Sequence, residues 1–407
     1  MKIEQIDKLA KIAVELEQER DSYYEFMLEG SDVQVLYSSE DIFRSFRTYP
    51  SARAVRDDVK KLTGEGYEFN KLSNGHLALT HKQVQLLAEL KGEPQYKYRD
   101  SKAITTMIGN LKGGVGKSQS TCSFADYLAL SPAHIASRKR VLIIDLDPQG
   151  SMTFHYLKHG ELGDYFSAIT LMSMEGESID PDLVRSQSIK ETWTNGIDII
   201  PCSTDEGFVA DTLYEVAKKQ GVGVHALLYE KVIQHVEDDY DFILLDCGPH
   251  LDAVLKAALG ATHCLFVPTT PKAIDFDSTI KFVQRVPEIV REMIEEGYDL
   301  DKLKFIKSFI NMMSDGSSSK NEIYNMSSEN DLATLFGPDV IQNSVQSSDV
   351  YARCMAYGKT AVSINPTDYA KYIGVRTNFV DRREELLNWS KSVANAVIHE
   401  HSKFGDL

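Results

Sequence analysis

The chain has 407 residues, enough for two or three domains and an ample core, and no apolar run approaches the roughly 20 residues of a membrane span. Its formal net charge of −16 excludes a protein that coats nucleic acid with its whole surface, while leaving room for local basic patches. The start lacks the apolar core of a signal peptide, and Cys122, Cys202, Cys247, Cys264 and Cys354 form no C-x-x-C pair, so reduced thiols in the cytoplasm are expected rather than a zinc site or a disulfide framework.

Three regions are expected. Residues 1–35 hold an N-terminal helix in which Ile6, Leu9, Ala13, Leu16, Tyr23 and Met27 fall on alternating three- and four-residue steps, interrupted at Arg20. Such a seam either lies on its own domain or pairs with a second copy.

Residues 36–100 read as a second unit with its linker. Ser39–Phe46 and Ser51–Leu62 are expected helices, the first with Ser38 or Ser39 as N-cap, and Tyr49-Pro50 breaks between them. Tyr67–Leu72 and His76–Thr80 flank the turn Ser73-Asn74-Gly75, a hairpin signal. Helix, turn, helix, hairpin is the order of a winged helix-turn-helix. Arg44, Arg47, Arg53, Arg56, Lys60 and Lys61 crowd this stretch against only Asp57 and Asp58, and Arg53, Arg56 and Lys60 share one helical face. That face is either a solvated surface or a duplex-facing recognition helix; the hairpin that follows favours the second. Gly92–Asp100, with Pro94, reads as a linker.

Residues 101–407 are expected to form an α/β domain. Apolar runs at Ala103–Ile108, Val141–Ile144, Ile197–Ile200, Phe242–Leu245, Cys264–Val267 and Phe305–Ile310 are mostly separated by helix-length segments. Continuous apolar strands of this kind imply a mainly parallel sheet with helices on both faces, and ligands at the carboxyl ends of its strands. No internal repeat is visible.

The first of these strands runs into Lys112-Gly113-Gly114-Val115-Gly116-Lys117-Ser118, ahead of a helix at Cys122–Leu130. A glycine-rich turn between strand and helix aims backbone N–H groups at a polyphosphate, at the positive end of the helix. Lys117 would reach the β and γ phosphates and Ser118 would ligate Mg²⁺. The ordinary P-loop pattern wants glycine five residues before Gly116, where Leu111 stands, so Lys112 is an additional cation. Asp145 and Asp147 follow one strand, and Asp246 follows another. Aspartates there either cap the next helix or hold a Mg²⁺-bound water.

The runs K-G-G-V-G-K-S, D-L-D-P-Q-G-S and F-I-L-L-D-C-G-P together resemble the ParA partition ATPases, of the deviant-Walker-A group, over roughly residues 103–400. The N-terminal unit resembles that of the large ParA subgroup. The resemblance implies a P-loop NTPase fold, ATP/ADP and Mg²⁺ as cofactors, and a catalytic set of Lys112, Lys117 and Asp147. Lys112 would be the signature lysine that crosses to the partner subunit's nucleotide, and Asp147 would position the attacking water. Lys112, Gly113, Gly114, Val115, Gly116, Lys117, Ser118 and Gln119 would bind nucleotide, with Asn311 at the base or simply buried as a structural residue. Ser118 would bind the metal directly, Asp145 and Asp246 through water. Gln119 and Ser151 stand where the family often has a hydroxyl residue and Asn.

The implied partners are a second copy in a homodimer or a DNA-bound filament, DNA itself, and a ParB-type centromere-binding protein, with no membrane. DNA would meet Arg44, Arg47, Arg53, Arg56 and Lys60, and non-specific DNA the C-terminal basic residues Arg353, Lys359, Lys371, Arg376, Arg382 and Arg383. These last read equally as an ordinary solvated mixture of charges. The implied activity is ATP-driven segregation of a plasmid or chromosome, with autorepression of its operon, in the nucleoid-associated cytoplasm. Two other readings stay open: an operator-binding repressor or filament scaffold with a slow ATPase switch, and a MinD-like positioning ATPase. Against the last, the final helix places Leu386, Trp389, Val393 and Val397 at core spacing rather than as a membrane-binding tail.

Overall fold

The computed structural model describes residues 7–16, 35–94, 101–157, 164–176, 179–315 and 318–404, with Ile3, Glu19 and Tyr96. Of the N-terminal seam, Ile6, Tyr23 and Met27 lie outside the described residues. Residues 7–16 are helical, and Leu9 and Leu16 stay 59% and 52% exposed, so this stretch buries no apolar face against the described residues.

Helix α1 (Ser39–Ser45) begins in a capping box: the Ser38 hydroxyl accepts from Asp41 N, and the Asp41 carboxylate accepts from Ser38 N at 2.9 Å. Helix α2 (Ala52–Gly64) is capped by Ser51 and turns Val55 and Val59 inward. The Asn-Gly turn follows, closed by Leu72 N to His76 O at 2.8 Å and Ala78 N to Asn70 O at 3.1 Å. Its arms pair through the isolated bridge Lys71–Leu77, and the second arm also bridges to Tyr37 through Leu79. Helix α3 (His81–Lys91) was not among the expected elements, although the Thr80-x-x-Gln83 box before Val84 and Leu87 marks its start. Gly92, in the left-handed conformation, ends it. The three helices share one apolar cluster with Ile135 and Ala136 of the following region.

Seven strands among the described residues form one sheet in the order β3-β4-β2-β5-β1-β6-β7. They are β1 (Ile104–Ile108), β2 (Val141–Leu146), β3 (Lys190–Glu191), β4 (Ile197–Ile200), β5 (Phe242–Cys247), β6 (Cys264–Thr269) and β7 (Phe305–Ile310). All neighbours run parallel except the short edge pair β3–β4. The central strands are buried throughout, as Val/Ile/Leu-rich strands covered on both faces must be.

Helices α4 (Lys117–Leu130) and α7 (Arg376–Phe404) cover one face, where Phe124, Leu128, Trp389 and Val393 join a single cluster. Trp389 and Val397 are fully buried and Leu386 nearly so, as the helical spacing predicts. Ala253–Ala261 and α6 (Ala273–Glu295) lie over the other face. Between β2 and β4, the short helix α5 (Ser151–Tyr156) follows the Asp145–Asp147 turn. The first region rests on the body at the far end of α4. Tyr37 OH donates to Leu130 O at 2.7 Å, Gln85 Nε2 to Ile135 O at 2.5 Å, and Arg138 Nη2 to Gln85 O at 2.7 Å.

Candidate nucleotide site

The loop between β1 and α4 turns back under the carboxyl end of the sheet. Gly114 and Gly116 hold φ of +79° and +84°, the left-handed region that L side chains rarely adopt. Gly116 is also closely packed, and a Cβ there would stand 2.2 Å from Asn311 Nδ2 and displace that side chain. Gly116 is the N-cap of α4 and offers no side chain of its own, so the first N–H groups of the helix stay turned toward the loop. Lys117 is 7% exposed, and its ammonium donates to the Lys112 carbonyl at 3.1 Å. Burial lowers its pKa, while Asp246 and Asp147 nearby pull the other way.

Asp145 and Asp246 face each other across the β2–β5 register. Burial raises the pKa of both, with Asp246 adding to the rise of Asp145. Their partners then separate them. Ser118 Oγ donates to Asp246 Oδ2 at 2.7 Å, and Asp246 Oδ1 is buried without a partner. Asp145 spends both oxygens on its own chain: Oδ1 accepts from Asp147 N at 3.2 Å, and Oδ2 accepts from Thr153 N and Oγ1 at 2.9 and 2.8 Å. Asp145 therefore pins the Asp147 turn and the start of α5.

Asp147 is half-buried, and its Oδ1 accepts from Gln149 N at 3.0 Å. Beside it lies a cavity of about 310 Å³ lined in part by Pro148, Gly207, Gly248, His250 and Asp252. Asn311, 2% exposed, braces the loop by donating from Nδ2 to Val115 O at 3.0 Å. Gly113, Val115 and Gln119 belong to the same turn and first helical turn. Lys112 differs from Lys117: its side chain is 36% exposed, and its ammonium lies 3.7 Å from Asp275 Oδ1 rather than on a loop carbonyl. Among the described residues, no three His, Cys, Asp or Glu side chains gather as a metal site.

A family profile described as an AAA domain matches residues 102–297. Plasmid partition protein A of Escherichia coli is 32% identical over 344 residues, which is 83% of this chain and 83% of that one. The chain belongs to the ParA-type partition ATPase family. The chromosome-partitioning ATPase Soj of Treponema pallidum (strain Nichols) is 27% identical over 185 residues, 46% of this chain and 64% of that protein. A solved structure titled as a partition protein superposes with a TM-score of 0.67 at 25% identity, over 84% of this chain and 90% of that one.

The basic residues of this ParA-type chain divide by burial. Arg44, Arg47, Arg53, Arg56 and Lys60 are all exposed. Arg44 pairs with Glu40 at 3.2 Å, Arg53 with Asp57 at 3.7 Å, and Arg56 donates to Ser39 Oγ at 3.1 Å. In the C-terminal set, Arg353, Lys371 and Arg376 are exposed and Lys359 is half-buried. Arg382 and Arg383 are half-buried and hold partners within the chain. Arg382 is bound to Glu385 and to Gln346 Oε1 at 2.5 Å, and Arg383 donates to Ile364 O at 3.3 Å, where burial lowers its pKa.

Other buried carboxylates escaped the sequence reading, and Asp126 is the one on the phosphate-loop helix. Asp126, on α4, accepts from Thr360 Oγ1 at 2.6 Å and from Tyr156 OH at 3.0 Å. It ties the phosphate-loop helix to α5 and to the Gly358–Thr360 turn. The sequence signal was the Lys359-Thr360 run, which spacing alone could not connect to a residue 234 positions earlier.

Proposed function

We propose that this protein is a Mg²⁺-dependent ATPase that pairs with a second copy on binding ATP, holds DNA in that state, and segregates a replicon with a ParB-type partner. The observation that carries the reading is the contrast between its two lysines. Lys117 is folded into its own phosphate loop, whereas Lys112 projects from the same loop with its ammonium outside that cradle. A cation placed so can complete a neighbouring subunit's site, as an arginine finger does in trans.

Within each site, backbone N–H groups of Gly113–Ser118 and the Lys117 ammonium would take the phosphates. Ser118 and Asp246 offer the hard oxygens Mg²⁺ takes, and the unpartnered Asp246 Oδ1 supports that fit. The remaining positions would go to phosphate oxygens and water. Asp147, at the cavity, would orient a water toward the γ-phosphorus; its attack releases ADP and inorganic phosphate. Asn311 fixes the loop on which this depends.

Three parts are assigned: residues 1–35 to self-association, 36–100 to a winged helix-turn-helix with linker that reads DNA, and 101–407 to the ATPase. The exposed arginine face of α2 beside the hairpin supports operator binding and autorepression. The likeness to partition proteins supports a nucleoid-associated role in the cytoplasm.

The test is duplex binding and sedimentation velocity with ATP against ADP. Wild type should sediment as a dimer and shift non-specific duplex only with ATP, and Lys112→Ala should lose both while still binding nucleotide. ATP-dependent dimerisation and duplex shifts unchanged in Lys112→Ala would reject the trans role.

A further inference from the structure

Lys112 has a partner within its own chain. Its ammonium lies 3.7 Å from Asp275 Oδ1, in the first turn of α6, and the Asp275 side chain is only 10% exposed. The carboxylate is itself anchored, because Thr270 Oγ1 donates to Asp275 Oδ2 at 2.7 Å. Asp275 lies in the first turn of a helix, where the dipole favours a carboxylate, and the Thr270 hydroxyl fixes it in place.

Both ends of the pair are tied to one buried network. Asn110 Oδ1 accepts from Lys112 N at 3.2 Å, and Asn110 Nδ2 donates to Pro268 O at 2.7 Å and Thr279 Oγ1 at 2.9 Å. The Thr279 hydroxyl in turn lies 3.1 Å from the Asp275 carbonyl. Asn110 and Thr279 are 2% and 0% exposed. The lysine backbone and the carboxylate thus share a rigid base, while the lysine side chain remains half-exposed.

We infer that Asp275 is a positioning residue that latches Lys112 in cis, so that the lysine must exchange this carboxylate for a partner's phosphate when the dimer closes. The inference rests on the trans role proposed for Lys112. The latch opposes dimerisation, since the ion pair is lost in each subunit as its lysine crosses. The latch raises the threshold for pairing, so a lysine that finds no partner phosphate returns to its own carboxylate.

A partly exposed pair of this kind shifts an equilibrium by roughly two- to fivefold, and two latches open per dimer, so the dimer constant should move by about four- to 25-fold. Asp275→Asn keeps an acceptor for Thr270 and removes the charge. Sedimentation velocity with a non-hydrolysable ATP analogue should show that tightening, with no change in ADP. In a Lys112→Ala background, Asp275→Asn should not restore ATP-dependent dimerisation, because the latch acts only through that lysine.

Should Asp275→Asn not fold, Thr270→Val loosens the anchor while keeping the charge and should tighten the dimer by a smaller factor. Weaker or unchanged dimerisation in the Asp275 and Thr270 variants, with Lys112→Ala still impaired, would overturn the latch and leave the trans lysine standing. A Lys112→Ala protein that dimerises like wild type would overturn both.

Discussion

In the nucleotide cradle, Lys117 is 7% exposed and held by a backbone carbonyl, whereas on α2 Arg53 keeps 83% of its side-chain surface and meets only Asp57 at 3.7 Å. The two regions are built on opposite terms. A buried ammonium persists only where fixed dipoles and carboxylates offset its desolvation, so the surroundings of Lys117 are as specific as the lysine. An exposed i,i+4 pair contributes about 0.3–0.5 kcal/mol, so Arg53 can leave Asp57 for a phosphate at little cost. Chemistry is built into the first region, and availability into the second.

The sharpest break in that comparison is at Asp147, the strand-end carboxylate that borders the cavity. Asp147→Ala should keep nucleotide binding and lower turnover by about 100-fold or more. Phosphate release under saturating ATP, with nucleotide affinity measured separately, checks it. Unchanged phosphate release would leave the cradle a binding site whose hydrolysis depends on another group.

For α2, the double replacement Arg53→Ala with Arg56→Ala should weaken specific duplex binding. The slope of log affinity against log salt should become shallower by about 1.8, or about 0.9 for each lost phosphate contact. The fold should be unaffected, since Val55 and Val59 make the buried contacts of that helix. An unchanged slope would make this face a solvated surface and remove the contrast drawn above.

Legibility in the sequence follows the same division. The phosphate loop could be read from spacing because a left-handed glycine, a buried lysine and a helix start must occur within seven consecutive residues. The strands from β1 to β7 were legible apart from edge β3, because burial on both faces leaves long apolar runs. What stayed hidden were partnerships over long separations. Asp145 reads as a residue supporting Mg²⁺ through water, and its bonds to Thr153 leave no trace in the spacing. Arg383 reads from the sequence as one more charge, and only the fold shows it donating to Ile364 O. Neither pairing leaves a periodic trace, because each depends on where two loops meet. The α2 face was legible as charge, and its ion pairs at i,i+4 follow from helix spacing, yet charge alone does not say what it meets.

The smallest expected effect concerns the seam between the two regions. Tyr37 is 1% exposed, and its hydroxyl donates to Leu130 O, at the end of the helix that begins at the phosphate loop. Tyr37→Phe removes the donor and keeps the ring, so it should cost about 1 kcal/mol, the net worth of one buried hydrogen bond. Urea unfolding would read this as a lowered midpoint at constant slope. ATP affinity should be unchanged, because Leu130 lies at the opposite end of α4 from Lys117. A change in ATP affinity without loss of stability would mean that the contact carries a signal along α4, and that cradle and basic helix are one responsive unit rather than two neighbours sharing a helix.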